Sequence, residues 1–281
     1  MIDVRPVLIM AGGPGGHVFP ALAVADELRT RGVPVVWLGT KAGIESRLVP
    51  EAGYHNEWMS ITGLRGKSAA TLLLAPIRLA LACWQALTVL FRRKPCAVLG
   101  MGGFASGPGG LMAWLIRKPL LVHEQNAIPG LTNKVLAKLA SVVLQAFPSV
   151  FKKAVTTGNP VRKSICEIKQ PEQREFDHAG NLRLLVVGGS LGAVKLNEII
   201  PQALSQIESD KRPSVIHQTG TRNIDAAKAM YADAGVEARV EAFIDEMPAV
   251  YEWADLVICR SGAMTVFELA AAGAASILVP Y

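Results

Sequence analysis

The sequence predicts an α/β protein of two Rossmann-like, doubly wound parallel-sheet domains facing across a cleft. Three observations predict it. Apolar strand-like runs alternate with helical stretches along the chain, as in a parallel sheet covered on both faces. The alternation starts twice, each time with an apolar strand running into a glycine turn and a helix, at Met10–Gly16 and at Val187–Gly192. The length of 281 residues suits two cores of roughly 100–150 residues each.

The elements follow in order. "RPVLIMAGG" reads as a short buried strand and "VFPALAVADELRTRG" as a helix ending at Gly32. "PVVWLG" is the next strand, a short helix spans Glu45 to Glu51, and "HNEWMSI" follows. A long helical stretch runs from Ser68 to Phe91. Strand "AVLGMG", helix "GPGGLMAWLI", strand "PLLVHE", helix "GLTNKVLAKLA" and strand "SVVLQA" complete the first half. Lys163 to Asn181 is polar, carries Pro171, and lacks a helical apolar stripe, so it reads as the inter-domain connection.

The second half repeats the rhythm. Strand "LRLLVVGG" leads into helix "AVKLNEIIPQAL", strand "SVIHQTG", helix "NIDAAKAMYADAG" and strand "ARVEAF". Helix "EMPAVYEWA", strand "LVICRSG", helix "MTVFELAAAG" and strand "SILVP" follow. Predicted domains are 1–162 and 163–281. Because a doubly wound sheet would cover its last strand with a further helix, the C-terminal domain is expected to be truncated.

Charge and cysteines narrow the function classes. The net charge of +6 is uneven: residues 1–150 hold 15 basic and 7 acidic side chains, the remainder 14 and 16. The basic half should face something anionic. Nucleic acid is disfavoured, because no nucleic-acid motif occurs and the aromatics do not interleave with the basic residues. Cys83, Cys96, Cys166 and Cys259 are widely spaced and read as reduced packing residues. The opening "MIDVRPVLIMAGG" reads as a strand and not as a signal peptide.

The apolar stretch Ser68–Phe91 is interrupted by Pro76 and Arg78, and its longest uncharged run is too short to span a bilayer. Arg65 and Lys67 precede it, and Arg92, Arg93 and Lys94 follow it. Part of its surface should pack on the sheet. An outer apolar face rimmed by cations suits an anionic membrane surface.

The glycine turns should present backbone N–H groups to an anion at helix N-termini. "GGPGGHV" and "GGSLGAV" both miss the GxGxxG spacing of a dinucleotide fold, and no GxxxxGK[ST] loop occurs. The turns "AGGPGGH", "GMGGFASGPGG", "GGSLGA" and the stretch "RSGAMTVFE" all follow strands, so they should line the C-terminal sheet edges, where open α/β sheets bind ligands. No DxD pair occurs, so no metal is expected to hold a diphosphate.

Ten stretches in fixed order resemble the MurG family of bacterial peptidoglycan glycosyltransferases. They are "AGGPGGHVFPALAVA", "WLGT", "GLRGK", "GMGGFASGPGG", "HEQNAIPGLTNK", "QAFP", "GNPVR", "VVGGSLGA", "FIDEM" and "WADLVICRSGAMTVFELAAAG". The resemblance implies inverting transfer of GlcNAc from UDP-GlcNAc to an undecaprenyl-diphosphate-linked muramyl-pentapeptide, at the cytoplasmic face of the inner membrane. It implies an acceptor- and membrane-facing first domain, a UDP-sugar-binding second domain, no cofactor, and contact with other cell-wall synthesis proteins. Another UDP-sugar glycosyltransferase or epimerase on this architecture stays open, as does an inactive sugar-nucleotide-binding module.

Site residues follow from the matched motifs. The UDP-GlcNAc-binding set is Pro14, Gly15, Gly16, Asn126, Arg162, Ser190, Ile244, Ala263, Met264, Thr265, Val266, Phe267 and Glu268. Glu268 suits the ribose hydroxyls, or alternatively helix capping. Arg162 and Ser190 suit the diphosphate, Arg162 having an inter-domain salt bridge as its alternative. Ile244 would meet the uracil through its backbone, and Asn126 a sugar hydroxyl. The candidate base is His17, since histidine titrates near neutral pH and a helix N-terminus favours its neutral form. Glu124 is the rival. His55, His178 and His217 are read as structural. Pro14, Leu191 and Phe267 depart from the family pattern, Pro14 by replacing a threonine, Leu191 a glutamine, and Phe267 a small or polar residue.

Overall fold

The computed structural model describes residues 5–61, 74–174, 180–189 and 192–280. The chain divides into two compact units, 1–160 and 161–281.

In the first unit the elements are β1 (Val7–Met10), α1 (Gly15–Thr30), β2 (Val35–Gly39), α2 (Glu45–Glu51), β3 (His55–Trp58) and α3 (Ala75–Arg93). They continue with β4 (Ala97–Gly100), α4 (Ser106–Leu115), β5 (Leu120–Glu124), α5 (Leu131–Leu136), β6 (Val142–Gln145) and β7 (Val155–Thr156). The second unit has α6 (Lys163–Cys166), a 3-10 turn at Pro171–Gln173, β8 (Arg183–Val187), α7 (Val194–Ser205) and a 3-10 turn at Ser209–Lys211. Then come β9 (Ser214–Gln218), α8 (Ile224–Asp233), β10 (Arg239–Glu241), α9 (Met247–Trp253), β11 (Leu256–Arg260), α10 (Ala263–Ala272) and β12 (Ser276–Val279).

Both sheets are wholly parallel among the described pairs. The first runs β3-β2-β1-β4-β5-β6-β7, the second β10-β9-β8-β11-β12. In each, the chain winds outward from its first strand, returns, and continues on the other side. The order therefore reverses between β1 and β4, and again between β8 and β11. Ligands of doubly wound sheets bind at that reversal, outside the strand C-termini.

The strands read as continuous apolar runs because both faces are covered. Leu8 and Met10 pack in one cluster with Val98, Val122 and helix residues Ala86, Val89 and Ala113. Ile9 and Ala11 point to the opposite cluster, with Val18, Ala21, Leu22 and Trp37. In the second unit Leu185 and Val187 face one side and Leu184 and Val186 the other. All four cysteines are free thiols. Burial lifts the Cys259 thiol to about 11, as suits an inert packing residue.

Three sequence readings are corrected. The supposed connection after Lys163 belongs to the second unit: Ile165 and Ile168 are buried in its core, and α6 packs on α9 and α10. Two isoleucines three residues apart on one short turn bury without forming a long stripe. Arg174 in the same segment is also buried, donating to the carbonyls of Lys169 and Ala272. Second, β7 adds an edge strand in "AVTTGN", where the rhythm had been expected to pause. Third, within the described residues the long helix starts at Ala75, with Pro76 in its first turn, where a missing N–H costs nothing. It runs to Arg93 and closes on Lys94 in the left-handed conformation. Residues 68–73 of that expected helix, with Arg65 and Lys67, lie outside the described residues.

Helix α3 buries Ala82, Ala86, Val89 and Leu90 against the unit and α4. It also exposes Ile77, Leu79, Leu81, Trp84 and Phe91, and α4 exposes Trp114 and Leu115. Arg92 and Arg93 are not simple rim cations: both pair with Glu57 of β3, which is nearly buried. His55 joins that cluster, its ring 3.3 Å from Glu57. No described helix is long and apolar enough to cross a membrane.

Candidate functional site

The reversal of the first sheet brings together the β1–α1 and β4–α4 turns. Gly103, at φ +78°, packs on the Gly12 carbonyl where any Cβ would collide. Gly102, at φ +102°, packs on the His17 ring, and a Cβ there would sit 2.7 Å from it. Both positions therefore require glycine. Ser106 Oγ accepts the Gly102 N–H and lies 2.8 Å from the Met10 carbonyl, tying the two strand ends together.

The first turn is held from beneath by a residue that sequence reasoning missed. Glu45, fully buried at the start of α2, accepts the Gly13 N–H at 3.1 Å and both the N–H and hydroxyl of Thr40. Pro14 precedes α1 in extended conformation, and no side chain caps the helix. An added Cβ at Gly16 would meet nothing within 4 Å, so backbone and space are both open there.

His17 stands in the first turn of α1. Its Nδ1 is 2.9 Å from Gln125 Oε1. Gln125 is fully buried and its amide nitrogen reaches the His123 carbonyl and His123 Nδ1, each at 3.1 Å. His123 Nε2 in turn lies 3.0 Å from the Gly158 carbonyl. Burial pushes the His123 imidazole below its ordinary pKa, so it is a neutral link.

Glu124 is placed differently from the role considered for it. It is fully buried, and its carboxylate accepts four hydrogen bonds at 3.0–3.1 Å. The donors are the Asn126 backbone and side chain, the Gly130 N–H and the Asn133 side chain. With both oxygens so occupied, Glu124 organises the 126–130 loop and has no free lone pair directed at a substrate hydroxyl. Asn126, read as a sugar partner, spends one side-chain N–H on Glu124.

In the second unit the corresponding reversal lies between β8 and β11, and α10 follows β11. Gly262 precedes α10 in extended conformation and no side chain caps it, leaving the first-turn amides of Ala263, Met264 and Thr265 uncapped. Val266 and Phe267 are half-buried on the same helix. Glu268 follows, nearly buried, 3.0 Å from Arg162 Nη2 and 3.3 Å from the Tyr251 hydroxyl. Burial and the Glu268 charge hold the Tyr251 phenol well above its ordinary pKa, so it remains a donor. Arg162 makes this ion pair inside its own unit. Ser190 and Leu191 lie outside the described residues; Gly189 and Gly192, on either side, both have left-handed φ.

A second missed residue is Gln218, buried at the end of β9. Its Nε2 donates to the Gly189 carbonyl at 3.1 Å, and its Oε1 accepts the Ile244 N–H at 3.2 Å. Ile244 therefore has its amide engaged. A glutamine closing the strand after "VI", as in "SVIHQ", was the available sequence signal for Gln218. His217 beside it is structural, buried against Tyr231. His178 lies outside the described residues. No group of three or more metal-ligating side chains occurs among the described residues.

Comparison with known proteins identifies the family. Residues 7–145 match the glycosyltransferase family 28 N-terminal domain and residues 183–281 its C-terminal domain. A relative from Nitrosococcus oceani, a UDP-N-acetylglucosamine–N-acetylmuramyl-(pentapeptide) pyrophosphoryl-undecaprenol N-acetylglucosamine transferase, is 57% identical over 98% of this chain and 77% of its own. One of the same name from Paracidovorax citrulli is 53% identical over 100% of this chain and 79% of its own. The crystal structure of Acinetobacter baumannii MurG superposes with a TM-score of 0.76 at 41% identity, over 99% of this chain and 79% of its own. The calicheamicin glycosyltransferase CalG4, 15% identical with a TM-score of 0.63 over 98% of this chain and 79% of its own, shares the fold. The chain belongs to glycosyltransferase family 28 and, within it, to the MurG family of N-acetylglucosamine transferases.

Proposed function

We propose that this protein transfers N-acetylglucosamine from UDP-GlcNAc to an undecaprenyl-diphosphate-linked muramyl-pentapeptide, with inversion at the anomeric carbon. The observation that carries this reading is the 57% identity, over 98% of the chain, to a relative named for that reaction. The site geometry supports it. His17 offers a ring nitrogen beside the uncapped start of α1, where the space at Gly16 is open. Arg162, Glu268 and the uncapped start of α10 offer a cation, a carboxylate and backbone donors on the other unit.

In this mechanism His17 takes the proton of the acceptor hydroxyl as its oxygen bonds to the anomeric carbon. The bond from that carbon to the diphosphate oxygen breaks on the opposite face, and UDP leaves with the electron pair. Arg162, the Ala263–Thr265 amides and Ser190 meet the charge that grows on the diphosphate. Glu268 accepts ribose hydroxyls, and the Ile244 carbonyl accepts from the uracil ring. Val266 and Phe267 flank the nucleotide. This reading gives the first unit the acceptor and the second the donor, and it assigns the diphosphate to protein donors without a metal or cofactor.

The exposed apolar side chains of α3 and α4, with Arg78, Lys94 and Arg117, are proposed to rest on the anionic cytoplasmic face of the inner membrane. Other cell-wall synthesis proteins are proposed as partners there.

The test is a transfer assay with radiolabelled UDP-GlcNAc and a lipid-linked muramyl-pentapeptide acceptor in detergent micelles. Labelled disaccharide product supports the reading. UDP binding without transfer indicates a sugar-nucleotide-binding module, and conversion of UDP-GlcNAc without acceptor indicates an epimerase; either outcome overturns it.

A further inference from the structure

The hydrogen bonds around His17 decide which of its nitrogens carries the proton. Two neighbouring groups can only accept, the His123 and Gly158 carbonyls. Gln125 Nε2 lies 3.1 Å from the His123 carbonyl, so the NH2 end of the amide must face that way. The same NH2 faces His123 Nδ1, which must therefore accept. His123 then carries its proton on Nε2 and donates it to the Gly158 carbonyl. At the other end, Gln125 Oε1 faces His17 Nδ1 at 2.9 Å and can only accept, so His17 must hold its proton on Nδ1. Both ends of the chain agree, and no step in it is charged.

Consequently the lone pair of a neutral His17 sits on Nε2, which has no hydrogen-bond partner among the described residues. A side chain at position 102 would collide with the ring, since an added Cβ there would sit 2.7 Å from it. Gln125 cannot itself reach substrate, being fully buried beneath the histidine.

We propose that Gln125 is the positioning residue of the transfer reaction: it locks His17 in the Nδ1–H tautomer, so that Nε2 is the proton-accepting atom. This rests on the functional reading above, in which His17 is the base. A histidine base is commonly oriented by the acceptor on its second nitrogen. Here that acceptor is a neutral amide whose own orientation is set by a buried histidine and two backbone carbonyls.

The test uses the full chain with 15N-labelled histidine. In the wild type, at a pH where the ring is neutral, His17 should show a protonated Nδ1 and an unprotonated Nε2. Gln125→Met keeps the side-chain length and removes the acceptor; it should release the lock and let the Nε2–H form appear. Its kcat should fall roughly 10- to 100-fold while the KM for UDP-GlcNAc stays within about 2-fold. In a His17→Ala background the same change should cost nothing further. Gln125→Glu, which restores an oxygen acceptor, should recover the Nδ1–H form.

A wild-type ring protonated on Nε2 overturns the proposal without any variant being needed. So does an equal loss from Gln125→Met with and without His17, since that would mark packing alone. If the wild type transfers no sugar at all, the functional reading fails by itself, and the tautomer measurement still decides whether Gln125 sets the proton.

Discussion

Arg162 Nη2 lies 3.0 Å from Glu268 Oε1, with the two side chains 21% and 10% exposed. The residues were assigned to different ends of the nucleotide, yet each is the other's partner. Removing the arginine leaves a nearly buried carboxylate with the Tyr251 hydroxyl at 3.3 Å as its remaining described partner. Arg162→Ala is expected to destabilise the second unit by about 1–3 kcal/mol. Arg162→Ala and Glu268→Ala should each weaken UDP binding about 10-fold or more, and the double variant by less than the two combined, with a coupling of about 1–3 kcal/mol. Calorimetric titration of UDP into the four proteins measures this; strictly additive losses would show the pair to be uncoupled.

His17 and Glu124 separate in their failures. His17→Ala should lower kcat by roughly 10²- to 10⁴-fold with UDP affinity unchanged. Glu124→Gln places an NH2 group against donors that need an acceptor, so it should cost about 1–3 kcal/mol of stability by thermal unfolding. A Glu124→Gln protein of wild-type stability that turns over nothing would return the base role to the carboxylate.

Membrane contact is expected to depend on both apolar and cationic parts of the α3–α4 face. Trp84 and Ile77 are each 67% exposed. Sedimentation with vesicles containing phosphatidylglycerol should show binding that weakens with added salt. Trp84→Glu should reduce it about 10-fold or more and leave UDP binding unchanged. Equal binding to zwitterionic vesicles at all salt concentrations would contradict the electrostatic part.

His217 gives the second unit an acid limit. Burial lowers its pKa from 6.5 to about 4. Between these values the unfolded chain binds a proton that the folded one refuses, so stability falls as the pH drops from 6.5 toward 4. The full contribution is about 3 kcal/mol at the low end of that window. His217→Asn keeps a partner for the Tyr231 hydroxyl and does not titrate. Urea unfolding of this variant should show a flatter pH dependence from 6.5 to 4; a slope equal to the wild type's would assign the acid limit elsewhere.

The strands were legible because a doubly covered sheet writes each as an apolar run between turns. Leu184–Val187 and Leu8–Met10 need no partner to be recognised. The family resemblance read from the ordered motifs is borne out by the relatives. Side-chain hydrogen bonds were much less legible. Gln218 joins Gly189 to Ile244, sites 29 and 26 residues away, and nothing in the local pattern announces either bond. Glu124 carried a chemical suggestion by its type alone, while its four donors emerge only once the 126–130 loop is folded around it. The segment after Lys163 was misread because a four-residue helix is too short to display a stripe.

The division between Pro160 and Val161 has a consequence for inheritance and engineering. Each unit closes its own core, so a gene joined at that seam exchanges one whole compact unit. A junction only two residues later would take Arg162 from one parent and Glu268 from the other, splitting the ion pair between them. Lineages that recombine at the seam keep His17, Gln125 and the glycine turns of the first unit as a single heritable block.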